Sequence, residues 1–274
     1  MKQFKVKDHE PSLLPDGEWD LIWSDEFDGD EVDLTKWDYR LCMMGKRHPA
    51  WTDKGVTVKN GCAEFRIFEE DGNVVSSQLQ TGHNFMDEPV IETKFEKDSL
   101  QWPIGKLKEN KFTYRYGYCE CRCRLQQHEG WWSAFWLQSP MIGASLDPKM
   151  SGSEVDIMES FHPGKIAAHN VYTGGYGQDM QRIMERGIEY VDQSEFHTFG
   201  LLWTEKEYIF YVDGIEDGRI DRNVSGIPQF ILISTEAKGY RKEAHRPIED
   251  AYAAARAEDT FLVDYVRVFA KKEN

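Results

Sequence analysis

Residues 56–67 read VTVKNGCAEFRI, so that an Asn-Gly pair stands between two short runs in which apolar and polar side chains alternate. Alternation with a period of two is typical of a strand that buries one face. An Asn-Gly pair favours the left-handed backbone of a tight two-residue turn. This stretch therefore predicts a β-hairpin.

Strand patterns of the same kind extend over most of the chain. Apolar runs at 196–203 and 208–212 flank a polar turn, and a near-continuous apolar run at 261–269 predicts a terminal strand. Only the alanine-rich residues 248–259 predict a helix, which is too short to form a domain. Because no repeat or linker-like run interrupts these patterns, the sequence predicts an all-β sandwich of two sheets, in a single domain over residues 1–274.

The composition limits the classes of partner. The chain has 274 residues, and its 9 Trp, 12 Tyr and 15 Phe supply material for a large core. Its net charge is 33 − 48 = −15, which repels phosphate backbones and anionic lipid, so we expect no nucleic-acid partner and no membrane partner. The start of the chain lacks the apolar core of a secretory signal. We expect a monomer, which is cytoplasmic if the chain is native as given and secreted if a leader was removed.

Three of the five cysteines, Cys119, Cys121 and Cys123, alternate with charged residues and so share one face of a strand. Side chains two positions apart on a strand are about 6.5–7 Å apart and parallel, which disfavours a disulfide between them. We expect buried free thiols, which favour a reducing compartment. The opposite face of this strand then carries Glu120 and Arg122.

The most informative acidic residues lie in residues 151–160, SGSEVDIMES. On a strand, Glu154 and Asp156 share one face, whereas strict alternation would send Glu159 into the core. A β-bulge at residues 157–158 would return Glu159 to the face of the other two acids. Three carboxylates on one face repel one another, and the pattern by itself fits a solvated acidic face, a metal site or a catalytic site.

Glycoside hydrolysis requires two carboxyl groups in different environments, one ionised and one protonated. A retaining enzyme holds them about 5–5.5 Å apart, whereas the outer acids of a flat strand would have Cα atoms about 13 Å apart. We therefore expect a curved strand with the acids on its concave side. Residues 131–138, WWSAFWLQ, supply aromatic rings for a sugar-binding floor, because alternation puts Trp132, Trp136 and Gln138 on one face.

Six blocks of the chain resemble, in order, blocks of glycoside hydrolase family 16, in the branch with a bulged ExDxxE motif that includes laminarinases, lichenases, agarases and κ-carrageenases. The blocks are residues 21–27, 116–122, 130–137, 154–159, 196–214 and 263–268. The resemblance implies a concanavalin-like β-jelly-roll sandwich of two curved antiparallel sheets, whose concave face forms a substrate cleft. It also implies endo-hydrolysis of a polysaccharide with retention of configuration.

The resemblance further implies roles for individual residues. Glu154 resembles the nucleophile, Asp156 the assisting acid and Glu159 the general acid/base. The residues expected to bind sugar, from the resemblance or from their place on the Trp-rich strand, are Glu120, Arg122, Trp132, Trp136, Gln138, Asn170 and Tyr172. No cofactor is required for the chemistry, and many relatives hold one structural Ca²⁺ at positions that resemble Glu26, Gly61 and Asp264.

For the substrate, the resemblance implies a β-1,3-glucan or a mixed-linkage β-1,3-1,4-glucan. The alternative is a β-galactan such as agar or carrageenan. Residues 147–153 lack the Trp-Pro common in laminarinases, and residues 47–51 and 233–236 resemble those of galactan-active relatives more closely. The net charge of −15 speaks against a sulfated galactan. A third alternative is a non-catalytic carbohydrate-binding module on the same fold, whose signature would be loss of a catalytic acid, and all three acids are present.

Overall fold

The computed structural model describes residues 2–43, 45–85, 87, 107–174, 181–188, 192–237 and 248–272. Its helices are α1 (Pro148–Ser151) and α2 (Ile248–Arg256). The strands before residue 100 are β1 (Lys2–Phe4), β2 (Ser12–Leu14), β3 (Trp19–Asp25), β4 (Asp38–Tyr39), β5 (Cys42–Met43), β6 (Lys46–Arg47), β7 (Val56–Lys59), β8 (Cys62–Phe65), β9 (Phe68–Glu70), β10 (Asn73–Val75) and β11 (Gln78–Gln80). The later strands are β12 (Gly117–Arg124), β13 (Trp131–Gln138), β14 (Glu154–His162), β15 (Lys165–Thr173), β16 (Gln181–Ile188), β17 (His197–Trp203), β18 (Tyr208–Val212), β19 (Ile215–Ile220), β20 (Phe230–Ala237) and β21 (Phe261–Lys271).

Two large antiparallel sheets form the sandwich. The seven-stranded sheet has the order β16-β15-β14-β13-β20-β11-β4. The eight-stranded sheet has the order β19-β18-β17-β12-β21-β8-β7, and β3 also pairs with β21. The predicted all-β jelly-roll sandwich of two curved antiparallel sheets is thereby confirmed.

The core lies between the two sheets and follows the predicted period of two. Cys119, Cys121 and Cys123 of β12 point into it as buried free thiols. Trp131 and Phe135 of β13 enter it from the seven-stranded sheet, each with 0% of its surface exposed. Burial of each aromatic side chain stabilises the fold by about 1.5–3 kcal/mol. The alternate residues of β12 and β13 consequently face away from the core, each on the outer side of its own sheet.

The hairpin predicted at residues 56–67 is confirmed. Strands β7 and β8 pair through Lys59 and Cys62, which leaves a two-residue turn between them. Asn60 and Gly61 have φ angles of 54° and 72°, the left-handed values that a type I′ turn requires at both central positions. The Asn-Gly pair therefore sets the register of this hairpin.

The bulge predicted in β14 is also confirmed. Phe135 of β13 lies opposite Met158, but the next residue, Trp136, lies opposite Asp156, so that Ile157 has no partner in the register. Ile157 and Met158 are both fully buried in the core. Two successive core side chains shift the phase of β14, which places Glu159 on the same face as Asp156.

Helix α2 confirms the predicted helix, although it ends at Arg256 rather than at Asp259. Its residues Ala251 and Ala254 are buried, and Ala254 packs beside Gly130, where a Cβ atom would lie 2.3 Å from the carbonyl oxygen of Asp250. Only glycine fits such a close approach to a helix. Among the described residues, no helix has both the length and the apolar character that a membrane span needs.

Candidate functional site

The outer face of the seven-stranded sheet, called the cleft face below, carries the three acids of β14. Glu154, Asp156 and Glu159 are 9%, 5% and 5% exposed, so each carboxylate is largely removed from solvent. A buried carboxylate is costly unless hydrogen-bond donors compensate for lost water. The neighbouring strands supply such donors.

Each outer acid accepts a hydrogen bond from a side chain on an adjacent strand. Gln138 of β13 donates from Nε2 to Oε2 of Glu154 over 2.7 Å. Glu159 accepts at both oxygens: Trp132 donates from Nε1 to Oε1 over 3.1 Å, and Asn170 of β15 donates from Nδ2 to Oε2 over 2.6 Å. These bonds fix the orientation of both carboxylates.

The remaining residues predicted on β15 also face the acids. Asp156 lies opposite Asn170, and Glu154 lies opposite Tyr172, which is half-buried. The structure therefore brings Gln138, Asn170 and Tyr172 together with the acids, as the sequence predicts. Gln138 and Asn170 are fully buried, and their observed hydrogen bonds go to the acids.

The two predicted platform residues, Trp132 and Trp136, differ in their surroundings. Trp132 is half-buried, and its ring lies 5.0 Å from the ring of Phe161. Trp136 is only 8% exposed, donates to Ser234, and has the guanidinium of Arg40 5.3 Å from its ring centroid. Trp132 consequently keeps more accessible surface for a sugar than Trp136 does.

Sequence reasoning missed several charged residues beside Trp132 and Trp136. Arg40 lies between the rings of Trp51 and Trp136, at 5.4 and 5.3 Å, and its guanidinium is paired with Asp87 over 2.9 Å. Glu236 of β20 lies next to Trp132 in the register and accepts a hydrogen bond from Gln78 over 2.5 Å. The period of two along β20 could have revealed Glu236, whereas Arg40 and Asp87 are 47 residues apart and no local pattern connects them.

A further charged group lies at the far edge of the cleft face. Nε2 of the buried His83 is 2.8 Å from the carboxylate of Asp38, and its Nδ1 is 3.0 Å from Nε2 of Gln80. Burial by itself would raise the pKa of Asp38, but hydrogen bonds from His83 and Lys111 outweigh it and hold the pKa below its usual value. Asp38 is therefore an ionised acceptor at neutral pH.

The structure corrects the prediction that Glu120 and Arg122 contact sugar hydroxyls. Both lie on β12, in the eight-stranded sheet, on the face opposite the cysteines. That face is the outer side of the other sheet, so neither residue shares the cleft face with the acids. Glu120 is fully buried and accepts hydrogen bonds from Tyr265 over 2.7 Å and from the backbone of Leu13 over 3.0 Å. Burial raises the pKa of Glu120 despite these bonds.

The two carboxylates among the predicted calcium ligands are each paired with a guanidinium. Gly61 and Asp264 line a common pocket, but the carboxylate of Asp264 is paired with the guanidinium of Arg122 over 2.5 Å. Glu26 is paired instead with the buried Arg267 over 2.7 Å. Within the described part of the chain, no group of three His, Cys, Asp or Glu residues is placed to hold a metal ion. Calcium binding by Glu26, Gly61 and Asp264 stays a prediction, and it would require each carboxylate to exchange its guanidinium partner for the ion.

The model of the family described as "Glycosyl hydrolases family 16" matches residues 48–234 of the chain. Among curated relatives, Glucan endo-1,3-beta-glucosidase A1 of Niallia circulans is 23% identical over 208 residues, which cover 71% of this chain and 28% of that protein. Beta-glucanase of Rhodothermus marinus is 27% identical over 203 residues, which cover 71% of this chain and 63% of that protein. The chain thus spans less than two thirds of the length of these relatives.

Comparison with solved structures supports the fold. The catalytic domain of an endo-1,3-beta-glucanase (laminarinase) from Thermotoga petrophila RKU-1 superposes with a TM-score of 0.66 at 24% sequence identity. The match covers 94% of this chain and 100% of that one. The same two-sheet architecture therefore exists in a protein with a quarter or less of its residues in common.

Proposed function

The chain belongs to glycosyl hydrolases family 16, and from this premise we propose that it is an endo-acting glycoside hydrolase that cleaves internal β-linkages of a polysaccharide with retention of configuration. The proposed substrate is a β-1,3-glucan or a mixed-linkage β-1,3-1,4-glucan. One observation carries the proposal: Glu154, Asp156 and Glu159 share the cleft face of a bulged strand. The similarity to a glucan endo-1,3-beta-glucosidase and to a beta-glucanase supports this substrate class.

In the first step, a carboxylate oxygen of Glu154 attacks the anomeric carbon and the C–O bond to the leaving sugar breaks. Glu159 gives its proton to the departing glycosidic oxygen, so that the leaving sugar departs as an alcohol. The products are a glycosyl ester on Glu154 and an ionised Glu159. The hydrogen bond from Gln138 to Glu154 supports this role, because an N–H donor favours the ionised form that a nucleophile needs.

In the second step, water attacks the anomeric carbon from the side that the leaving sugar vacated. Glu159 takes a proton from this water as the new C–O bond forms and the ester bond to Glu154 breaks. Two inversions give net retention, and both carboxyl groups return to their starting protonation states. We assign Asp156, which lies between them along β14, to assist the nucleophile.

Substrate binding is proposed for the cleft face beside the acids. The half-buried rings of Trp132 and Tyr172 are suited to contact sugar rings through apolar faces. Both lie close to the catalytic acids, since Trp132 contacts Glu159 and Tyr172 lies opposite Glu154. These two residues are accordingly assigned to the sugars nearest the cleaved bond.

A reducing-sugar assay on laminarin, lichenan, agarose and carrageenan tests the proposal. We expect new reducing ends from laminarin or lichenan, with an early fall in viscosity that marks internal cleavage. Proton NMR of the first product should show the β-anomer before mutarotation. Glu154→Gln is the matched control, because it keeps the shape of the side chain and removes the nucleophile.

The same panel identifies the alternatives. Cleavage of agarose or carrageenan alone would assign the enzyme to β-galactans. Binding to a glucan without any turnover by the wild-type protein would identify a carbohydrate-binding module. An α-anomer as the first product would contradict the retaining mechanism.

A further inference from the structure

Both oxygens of the Glu159 carboxylate accept an N–H hydrogen bond. The donors come from the two strands that flank β14: the indole of Trp132 bonds to Oε1 over 3.1 Å, and the amide of Asn170 bonds to Oε2 over 2.6 Å. Glu159 is 5% exposed, so these bonds replace much of the water that a free carboxylate would bind.

From this geometry we propose that Trp132 is a positioning residue for Glu159, in a role that rests on the function proposed above. Its indole N–H, together with the Asn170 amide, holds the carboxyl plane in one orientation and stabilises the ionised form. Glu159 is ionised between the two steps, after it has protonated the leaving group and before it accepts a proton from water. The indole thus acts in both steps, in addition to any contact between its ring and a sugar.

The register explains why a tryptophan can reach Glu159. Ala134 lies directly opposite Glu159, and Trp132 lies diagonally, two residues away on β13. Diagonal neighbours across antiparallel strands are about 7–8 Å apart, a distance that a long aromatic side chain can span. The small side chain of Ala134 leaves room for the indole, and the ring of Phe161 packs against it at 5.0 Å. Phenylalanine at position 132 could retain the ring contact but would lack the N–H group.

Other charged groups lie near this bond, and a test must separate them from Glu159. Asp156 and Glu154 lie on β14 itself, and Glu236 lies beside Trp132 on β20. On β13 the neighbours Ala134 and Trp136 are uncharged. Any pH response of the Trp132 indole must therefore be assigned by substitution of the individual acids.

The first experiment needs no substrate. In ¹⁵N–¹H spectra of the full chain, the indole signal of Trp132 is assigned by its absence from Trp132→Phe or, if that variant does not fold, by through-space contacts to the ring of Phe161. We expect this signal to shift with pH in the wild type and in Glu236→Gln, and to lose the shift in Glu159→Gln. A shift that survives in Glu159→Gln, or a signal that does not respond to pH at all, would overturn the proposal.

The second experiment measures the pH profile of kcat/KM for Trp132→Phe on the glucan that the wild type cleaves. In the proposed mechanism, activity falls on the alkaline side of this profile, its basic limb, when Glu159 loses its proton. Loss of a donor to the ionised carboxylate makes Glu159 harder to deprotonate, so the basic limb should move to higher pH. We also expect kcat to fall about tenfold, with a smaller change in KM. Trp136→Phe is the matched control, because its indole donates to Ser234 rather than to an acid and its loss should not move the limb.

The outcomes separate this proposal from the proposed function. In one outcome, the wild type cleaves no polysaccharide while the pH-dependent shift of the indole signal still requires Glu159. That result would contradict the proposed function but support the hydrogen bond between Trp132 and Glu159. If the wild type is active and Trp132→Phe changes only KM, then Trp132 is a sugar platform and the positioning role is wrong. If Trp132→Phe lowers the melting temperature without moving the basic limb, Trp132 contributes only to packing and the positioning role is again wrong.

Discussion

The side-chain amide of Gln138 donates to the carboxylate of Glu154 over 2.7 Å, across the boundary between β13 and β14. Gln138 is 0% exposed and Glu154 is 9% exposed, so the bond lies in a site with little competing water. An N–H donor aimed at a buried carboxylate favours its ionised form and fixes its orientation. Both effects are what a nucleophile at this position would need.

Glu154→Ala should abolish hydrolysis of the glucan while oligosaccharide binding persists, because the variant cannot form the covalent intermediate. Azide should restore turnover by entering the vacated space, and the product should be the glycosyl azide of inverted configuration. Mass spectrometry and NMR of the product check this. The exposed Glu195→Ala serves as control. Hydrolysis at the wild-type rate by Glu154→Ala would remove Glu154 from the mechanism.

Glu159→Ala should slow hydrolysis of polysaccharide far more than that of activated aryl glycosides, because a good leaving group departs without a proton. General acid/base catalysis contributes about 10²–10⁴-fold, which sets the expected loss on polysaccharide. Steady-state rates on both substrate types provide the measurement. Mechanism-based labelling and peptide mapping test the competing assignment: a glycosyl adduct on Glu159 rather than Glu154 would exchange their roles.

Trp132→Ala and Trp136→Ala should have different effects, although both residues lie on the cleft face. Trp132 is half-buried, so its loss should weaken glucan binding by about 1 kcal/mol or more and leave stability less affected. Trp136 is 8% exposed and packs under Arg40, so its loss should cost about 3–5 kcal/mol of unfolding free energy. Denaturant unfolding and binding isotherms for both variants separate the two effects. Equal losses of stability would contradict the assigned difference.

Deletion of Met158 should give a folded protein with altered activity. The spacing of the acids becomes ExDxE, Ile157 stays in the core, and Glu159 follows it on the cleft face. Removal of a fully buried methionine side chain should cost about 2–5 kcal/mol. Met158→Leu, which keeps the bulge and nearly the same volume, should cost less than about 1.5 kcal/mol. Thermal unfolding checks both values, and complete loss of folding in the deletion would show that neighbouring side chains cannot close the space.

The His197–Asp213 pair should make stability depend on pH. The hydrogen bond from His197 to Asp213, 2.7 Å long, raises the pKa of His197, and burial of the ring opposes it. Burial by itself would raise the pKa of Asp213, but the bond to His197 outweighs it and lowers that pKa below 3.8. The pair therefore stabilises the fold fully between the ordinary values of 3.8 and 6.5, and the contribution is lost as the pH rises through the raised pKa of His197.

His197→Gln tests this pH dependence. The difference in melting temperature between the wild type and the variant should be largest near pH 5–6 and should shrink toward pH 9. His128→Gln is a suitable control, because that histidine side chain is 62% exposed, against 18% for His197. A difference that stays constant across this range would show that protonation of His197 does not contribute to stability.

Several parts of the candidate site could be predicted from local sequence. The bulge at Ile157-Met158 followed from the cost of burying Glu159, and the structure contains it. Alternation along β13 separated Trp132 and Trp136 from the core residues correctly. In contrast, the crowding of Trp136 by Arg40 could not be predicted, because Arg40 is distant in sequence and the ring's exposure depends on what packs over it.

The sequence by itself determined which residues share a face of each strand, where the hairpin at Asn60-Gly61 turns, and that three acids stand together. These features depend on side chains a few positions apart, and the period of a strand fixes them. Only the tertiary structure decided which outer face is the cleft. Glu120 lies opposite the core cysteines as expected, but on the sheet without the acids. Likewise, Arg267 donates a hydrogen bond to Glu26, which is 241 residues away in sequence. No local pattern predicts this contact, because long-range packing sets the order of strands in a sheet.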